Sequence, residues 1–399
     1  MMRKRDRSAS SSYAAATLRN SWDADAPAPE LPRNKRVRQR ASQGSMSTHV
    51  IDSICGAHFE EIVEGRDPSL GPFVLLQQQG DDIPGSAGYG RAYEVSTRDW
   101  LRVTDRLSAG RNGVSSAAAV CGKDAFVLKT PVVRGHCRLL PGARRFDCGD
   151  PLGFEFTNAL SLLPLRAQGV YNFNVPFAYF WARAHVARTN HVQFDDTSPP
   201  RPFLLLERVR PGVTYRSVVR RAPEDEIAGA IVQLMLALEV AQAYNRFTHY
   251  DLHLDNILLG TGPDRISYTV EGREYVLPGR HLLVVCDFAR SYANNRDGSA
   301  FGLTPYDSDA SLNRYMRQDN SDQWRQFAKI PSRTYDLVRF LEDLFAERTV
   351  FSPRLRRLQD AFRRDYPGIG FRNAGLNGHV GDVIQRPLDV VRLLTEGPP

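Results

Sequence analysis

A chain of 399 residues, 42% hydrophobic and 10% aromatic, is long enough for one large two-lobed core or two ordinary domains, which excludes a wholly unstructured polymer. The formal charge is +7, but residues 1–50 hold ten Arg or Lys against four Asp or Glu, so the remainder stands near +1 and no nucleic-acid binding is expected of it. Five scattered cysteines without a CxxC pair give neither a zinc site nor a disulfide framework, which fits a reducing compartment, and neither a signal peptide nor a membrane span is expected.

Residues 1–49 are rich in Ser, Ala, Pro and Arg and poor in large apolar side chains, so a disordered tail is expected there. Its basic clusters, RKRDR at 3–7 and PRNKRVRQR at 32–40, fit nuclear import machinery or an anionic surface, and a merely solvated charged tail has the same composition. Between 70 and 134 the runs FVLLQ, AYEV and AFVLKTPVV, broken by Gly and Pro, predict an antiparallel sheet. The glycine-rich stretch at 84–95 leads into AYEV, and its residues Gly85, Ser86, Ala87, Gly88, Tyr89 and Gly90 are candidates to cradle a phosphate through backbone N–H groups. Ala87 occupies the middle glycine of a GxGxxG pattern, and an ordinary hairpin turn reads the same way. Only five of the 52 basic residues are lysine, which draws attention to Lys129 at the end of AFVLK.

The segment 154–165 reads as a helix carrying Glu155, 201–209 as a buried strand, and 227–247 as a long helix apolar around much of its circumference. In HYDLHLDNILL at 249–259, Asp251 stands five positions before Asn256, and LLVVCDFAR then places Asp287 at the end of a β-branched run. A carboxylate able to accept a hydroxyl proton, followed by oxygen ligands for a magnesium ion on a nucleotide, is what phosphoryl transfer requires. Taken singly, Asp251 could be a helix cap and His249 a core histidine, but their joint occurrence with Asn256, Asp287 and Phe288 is far more specific. Asp336, in RTYDLVRFLEDLF, fits either a helix cap or a buried anchor.

The order of glycine turn, Lys129, Glu155, the 204–212 segment, Asp251, Asn256, Asp287 and Asp336 resembles the protein kinase superfamily across residues 70–345. With the basic head and the Arg, Ala, Gly and Pro bias, the body is similar to the conserved serine/threonine protein kinase of herpesviruses, in its alphaherpesvirus form. That resemblance implies an α+β, bilobal protein-kinase-like fold: an N-lobe at 50–208 of antiparallel sheet plus one main helix, and a mostly helical C-lobe at 209–399 with its last helices reduced or missing. It implies ATP and Mg2+, with Lys129 on the α- and β-phosphates and Glu155 holding that lysine. Glu207 and Val209 would offer their backbones to adenine in front of Leu206, Asp251 would be the catalytic base, and Asn256 and Asp287 would hold the metal. Transfer to Ser or Thr of viral and host proteins, residence in the host nucleus and packaging in the virion tegument follow from the same resemblance.

Departures from the family pattern are informative. Tyr250 replaces the arginine before the catalytic aspartate, so loop phosphorylation is not expected to be the main switch, and His253 stands where serine/threonine kinases keep a lysine. Ala289 replaces the glycine after Asp287-Phe288, an Ala-Pro-Glu motif is lacking before Asp336, and insertions are expected at about 96–120 and, as a hairpin, at 260–281. The Asp-Leu-His core also resembles small-molecule kinases of the aminoglycoside or choline type, and a pseudokinase scaffold is the reading without turnover.

Overall fold

The computed structural model describes residues 76–77, 91–92, 101–109, 113–120, 122–131, 151–186, 191–195, 197–198, 200–293, 332–348, 350–367 and 381–396. The basic tail and the 84–90 glycine turn lie outside them.

Strands dominate the first part. β3 (Leu101–Ala109), β4 (Gly113–Val120), β5 (Lys123–Pro131), β6 (Pro176–Val186), β7 (Val192–Phe194) and β8 (Pro200–Glu207) form one antiparallel sheet in the order β3-β4-β5-β8-β6-β7. Alternation sets its faces. Phe126 and Leu128 of β5 point into an apolar cluster with Phe177, Phe180, Phe203 and Leu205, while the opposite phase of the same strand, Val127 and Lys129, is only half-buried. The segment expected to be an insertion at 96–120 is instead β3 and β4, two integral strands of this sheet, because β4 pairs directly with β5 through Ser115↔Lys129. A short separate ladder joins β1 (Leu76–Gln77) to β2 (Arg91–Ala92).

Helix α1 (Pro151–Arg166) spans the expected helical segment and packs Leu152, Phe156 and Leu160 against Tyr179, Leu204 and Leu206 of the sheet. The later part is mainly helical, with α2 (Tyr215–Val219), α3 (Glu224–Asn245), α4 (Tyr335–Glu347), α5 (Pro353–Asp365) and α6 (Pro387–Thr395). α3 is long and apolar enough to cross a membrane by length and composition, contrary to the expectation that no run was. The stretch that qualifies is 72% buried inside the protein, so the helix serves as the core around which the others gather. Three helices follow residue 334 among the described residues.

Between the sheet and the helices lies a three-stranded antiparallel sheet, β13-β10-β9, made of β9 (Pro211–Thr214), β10 (Ile257–Gly260) and β13 (Leu282–Val285). The expected inserted hairpin is present as β11 (Arg265–Val270) and β12 (Arg273–Pro278). Its two-residue turn, Glu271-Gly272, has both residues at positive φ, the geometry that matches strand twist. The hairpin buries Ile266, Tyr268 and Val270 in the main core, and the Tyr268 hydroxyl donates to Asn172 Oδ1 at 2.6 Å. Asn172 Nδ2 in turn donates to Gln233 Oε1 at 3.1 Å and the Leu283 carbonyl at 2.9 Å, so one buried amide ties four distant segments together.

Candidate active site

Strand register brings the proposed chemistry together. β10 begins at Ile257, which pairs with Val285 at the end of β13, so the residues flanking the ladder, Asn256 and Cys286, are also neighbours. The Cys286 N–H donates to the Asn256 carbonyl at 2.9 Å, and Asp287 is the next residue. The five-residue spacing from Asp251 to Asn256 closes a compact loop, because Asn256 Nδ2 donates to the Asp251 carbonyl at 2.9 Å.

Lys129 reaches across from β5. Its Nζ donates to Glu155 Oε1 of α1 at 2.5 Å and stands 3.8 Å from Asp287 Oδ1. Burial works against the charge on Lys129, but the Asp287 and Glu155 carboxylates outweigh it and hold the ammonium above its usual range. Burial pushes the Glu155 carboxyl up to about 7 against the pull of Lys129. The Lys129 ammonium is the main influence holding the Asp287 carboxyl below its ordinary range against burial, and Arg290 adds to it.

The backbone at the start of the 249–256 loop is pinned by a buried carboxylate. Asp336, in the first turn of α4, is fully buried and accepts from the N–H groups of His249 at 2.6 Å and Tyr250 at 2.9 Å. Tyr250 has φ 61°, a conformation costly for a bulky residue, and these bonds together with its ring contact to Tyr335 at 5.1 Å hold it there. His249 links the two halves of the site. Its Nδ1 accepts from the Asp251 N–H at 3.2 Å, which assigns the proton to Nε2 and makes that nitrogen the donor to the Cys286 carbonyl at 3.0 Å. Burial keeps this imidazole neutral, its pKa lowered to about 4.

Three groups in the site were not visible from spacing. Asn158 of α1 donates through Nδ2 to the carbonyls of Phe288 at 3.0 Å and Ser291 at 2.9 Å, clamping the helix that carries Glu155 to the segment that carries Asp287. Arg216 of α2 pairs with Asp255 at 2.8 Å, Asp343 at 2.5 Å and Glu347, while Asp343 also accepts from the Leu254 N–H at 2.9 Å. That network fastens the outer side of the catalytic loop to α4. Arg290 lies 3.6 Å from Asp251 Oδ2.

At the end of β8, Leu206 is buried against Leu152, Phe156 and Leu160, and the Glu207 N–H is already bonded to the Val175 carbonyl at 2.8 Å. Its carboxylate points away into a two-bond pair with Arg166 at 3.0 and 3.1 Å. Only the Glu207 carbonyl and the backbone of Val209 remain for a purine edge. Gly85, Ser86, Ala87, Gly88, Tyr89 and Gly90 lie outside the described residues, and the strands on either side of them, β1 and β2, pair with each other. Gly113, the first residue of β4, pairs with Pro131 on the strand that carries Lys129. A Cβ there would come within 2.8 Å of the Thr130 carbonyl, so only glycine fits.

Among the described residues no group of three or more His, Cys, Asp or Glu forms an all-protein metal cage. A half-exposed Asp287 carboxylate, following a residue that bonds the Asn256 carbonyl, suits a hard cation that keeps its remaining positions for water and phosphate, as Mg2+ does.

No protein-family profile matches the chain. It is 25% identical over 182 residues to the serine/threonine-protein kinase haspin of Bos taurus, covering 41% of this chain and 23% of that protein. It is 35% identical over 72 residues to the probable kinase 098L of Invertebrate iridescent virus 3, covering 18% of this chain and 14% of that protein. The chain thus spans less than a quarter of the length of the curated relatives it matches. A solved kinase domain shares 13% identity at a TM-score of 0.28, covering 51% of this chain and 55% of that one. The sequence similarities support the protein kinase superfamily, and the mixed sheet and helices are compatible with a kinase-like fold.

Proposed function

We propose that this protein is an ATP-dependent protein kinase. The observation that carries the reading is the convergence of Lys129, Glu155 and Asp287 within a chain of ion pairs, beside a loop that presents Asp251 and Asn256. Lys129, held by Glu155, orients the triphosphate. Asp287 and Asn256 would hold Mg2+, which when bound neutralises phosphate charge. The substrate oxygen bonds to the γ-phosphorus as the bond to the bridging oxygen breaks. ADP leaves with that electron pair, and Asp251 takes the hydroxyl proton.

Serine or threonine as the acceptor, in viral and host proteins, is the finer part of the proposal, supported by the order of motifs. Action in the host nucleus and residence in a virion tegument rest on resemblance and on the basic clusters at 3–7 and 32–40. The test is transfer from labelled ATP with magnesium to a general protein substrate and to the chain itself, comparing wild type with Asp251→Asn, followed by phosphoamino-acid analysis. Phosphoserine or phosphothreonine made by wild type alone is the expected result. Labelled small alcohols with unlabelled protein would instead identify a small-molecule kinase, and equal labelling by Asp251→Asn would remove Asp251 from the reaction.

A further inference from the structure

We infer that the outward face of α5 is a docking surface for an acidic peptide segment of a protein, which under the kinase reading above is the protein substrate. The sequence PRLRRLQDAFRRD of this helix divides by helical period. Leu355, Leu358, Ala361 and Phe362 are buried, whereas Arg356, Arg357, Asp360, Arg363 and Arg364 are exposed, so one face carries four arginines against one aspartate. The Phe362 ring meets Phe345 at 5.5 Å and Tyr366 at 5.4 Å, and the Ser352 hydroxyl caps the first turn by accepting from the Leu355 N–H at 3.4 Å. The helix is thus held by its apolar side and its start, and its arginines face solvent.

These arginines differ from others of the helical part. Arg216, Arg220, Arg348, Arg386 and Arg392 each pair with a carboxylate. Among the described residues Arg357 and Arg363 have neither an ion pair nor a side-chain hydrogen bond. The Arg356 side chain donates only to the nearby Phe351 carbonyl at 3.4 Å, and Arg364 stands 3.9 Å from the adjoining, buried Asp365. The fold makes little use of this charge. Arg356 and Arg363 are one heptad apart, as are Arg357 and Arg364, so each pair spans about 10 Å along the helix. An extended peptide covers that distance in about three residues, so carboxylates at every third position meet both ends of a pair. A guanidinium takes a carboxylate through two parallel bonds. Nucleic acid fits less well, because a duplex carries one charge per roughly 1.7 Å and calls for a broadly basic surface. Beyond residue 50 this chain stands near +1. Lys129, Glu155, Asp251, Asn256 and Asp287 all lie on other segments, so docking on α5 raises the local concentration of an acceptor without altering the chemistry.

The experiment reads binding first and turnover second, on the full chain. Fluorescence anisotropy measures the affinity of a labelled peptide of Glu-Gly-Gly repeats, of the same repeat with Gln in place of Glu, and of an oligothymidylate of equal charge. The test variant combines Arg357→Glu and Arg363→Glu. A control of equal charge change combines Arg265→Glu and Arg280→Glu, and thermal unfolding checks that both variants fold. The glutamate repeat is expected to bind wild type and control alike, to bind the α5 variant about 10-fold more weakly, and to weaken as salt rises. Fused to an acceptor peptide, it should lower KM about 10-fold at unchanged kcat in wild type and not in the α5 variant. Equal binding of the glutamine repeat, equal loss in the two variants, no loss in the α5 variant, or tighter binding of the oligothymidylate to the same face would each overturn the proposal. Intact binding with an unaltered KM would sustain the surface and overturn its assignment to the substrate. Binding through α5 by a protein that transfers phosphate to no acceptor would sustain the docking surface while removing the kinase reading.

Discussion

At the scale of single residues, burial decides what each titratable group contributes. His249 is neutral in the fold, with its pKa lowered to about 4 from an ordinary 6.5. Below pH 6.5 the unfolded chain takes up a proton that the folded chain refuses, so this group's share of stability falls as the pH drops from 6.5 toward 4. The shift corresponds to about 3 kcal/mol. The difference in unfolding free energy between wild type and His249→Gln should therefore shrink on acidification through that window, and a constant difference would contradict the assignment. Asp336 acts through hydrogen bonds to two backbone N–H groups. Asp336→Ala strands both donors in the core and should cost about 3 kcal/mol by denaturant titration. Activity should fall more than stability, since Tyr250 then relaxes from its positive φ and moves Asp251.

At the scale of elements, the clamp between α1 and the Asp287 turn should be separable from the chemistry. Asn158→Ala removes both side-chain bonds, the Phe288 carbonyl keeping only the Ser291 N–H and the Ser291 carbonyl losing the amide, for a loss of about 2 kcal/mol. It should also weaken nucleotide binding, measured by calorimetry, because the Glu155 and Asp287 carriers are uncoupled. Unaltered affinity would mean that packing alone holds them. The legibility of these elements in the sequence follows the range of their contacts. The closeness of Asp251 and Asn256 could be read because they lie five residues apart and bond to each other, and α3 could be read from apolar residues around much of its circumference. The glycine turn at 85–90 lies outside the described residues, whereas the register that sets Ser115 opposite Lys129 joins segments 14 residues apart and has no local signature in the sequence. Asn158, Arg216 and Arg290 carry no local signature. Asn158 meets partners 130 and 133 residues away, and Arg216 meets Asp343 across 127.

At the scale of the whole molecule, α6 closes the core. Leu388, Val390, Val391 and Leu394 are buried, and Glu239 of α3 accepts from the Leu388 N–H at 3.2 Å and pairs with Arg386 at 3.3 Å. Exposing four such side chains costs roughly 6 kcal/mol or more, comparable with the entire stability of an ordinary domain. A chain ending at residue 380 should lose its cooperative calorimetric transition, and a sharp transition near that of the full chain would show α6 to be dispensable. The Asn172 amide carries the same lesson into folding kinetics. Its partners lie 61, 96 and 111 residues downstream, so loop closure is costly before any of them is gained. During synthesis Asn172 emerges well before Gln233, Tyr268 and Leu283, and the early strands must wait with apolar surface uncovered until the hairpin at 265–278 has left the ribosome. Production of this protein should accordingly depend on chaperone capacity, and slowed translation between 172 and 283 should lower its yield rather than raise it.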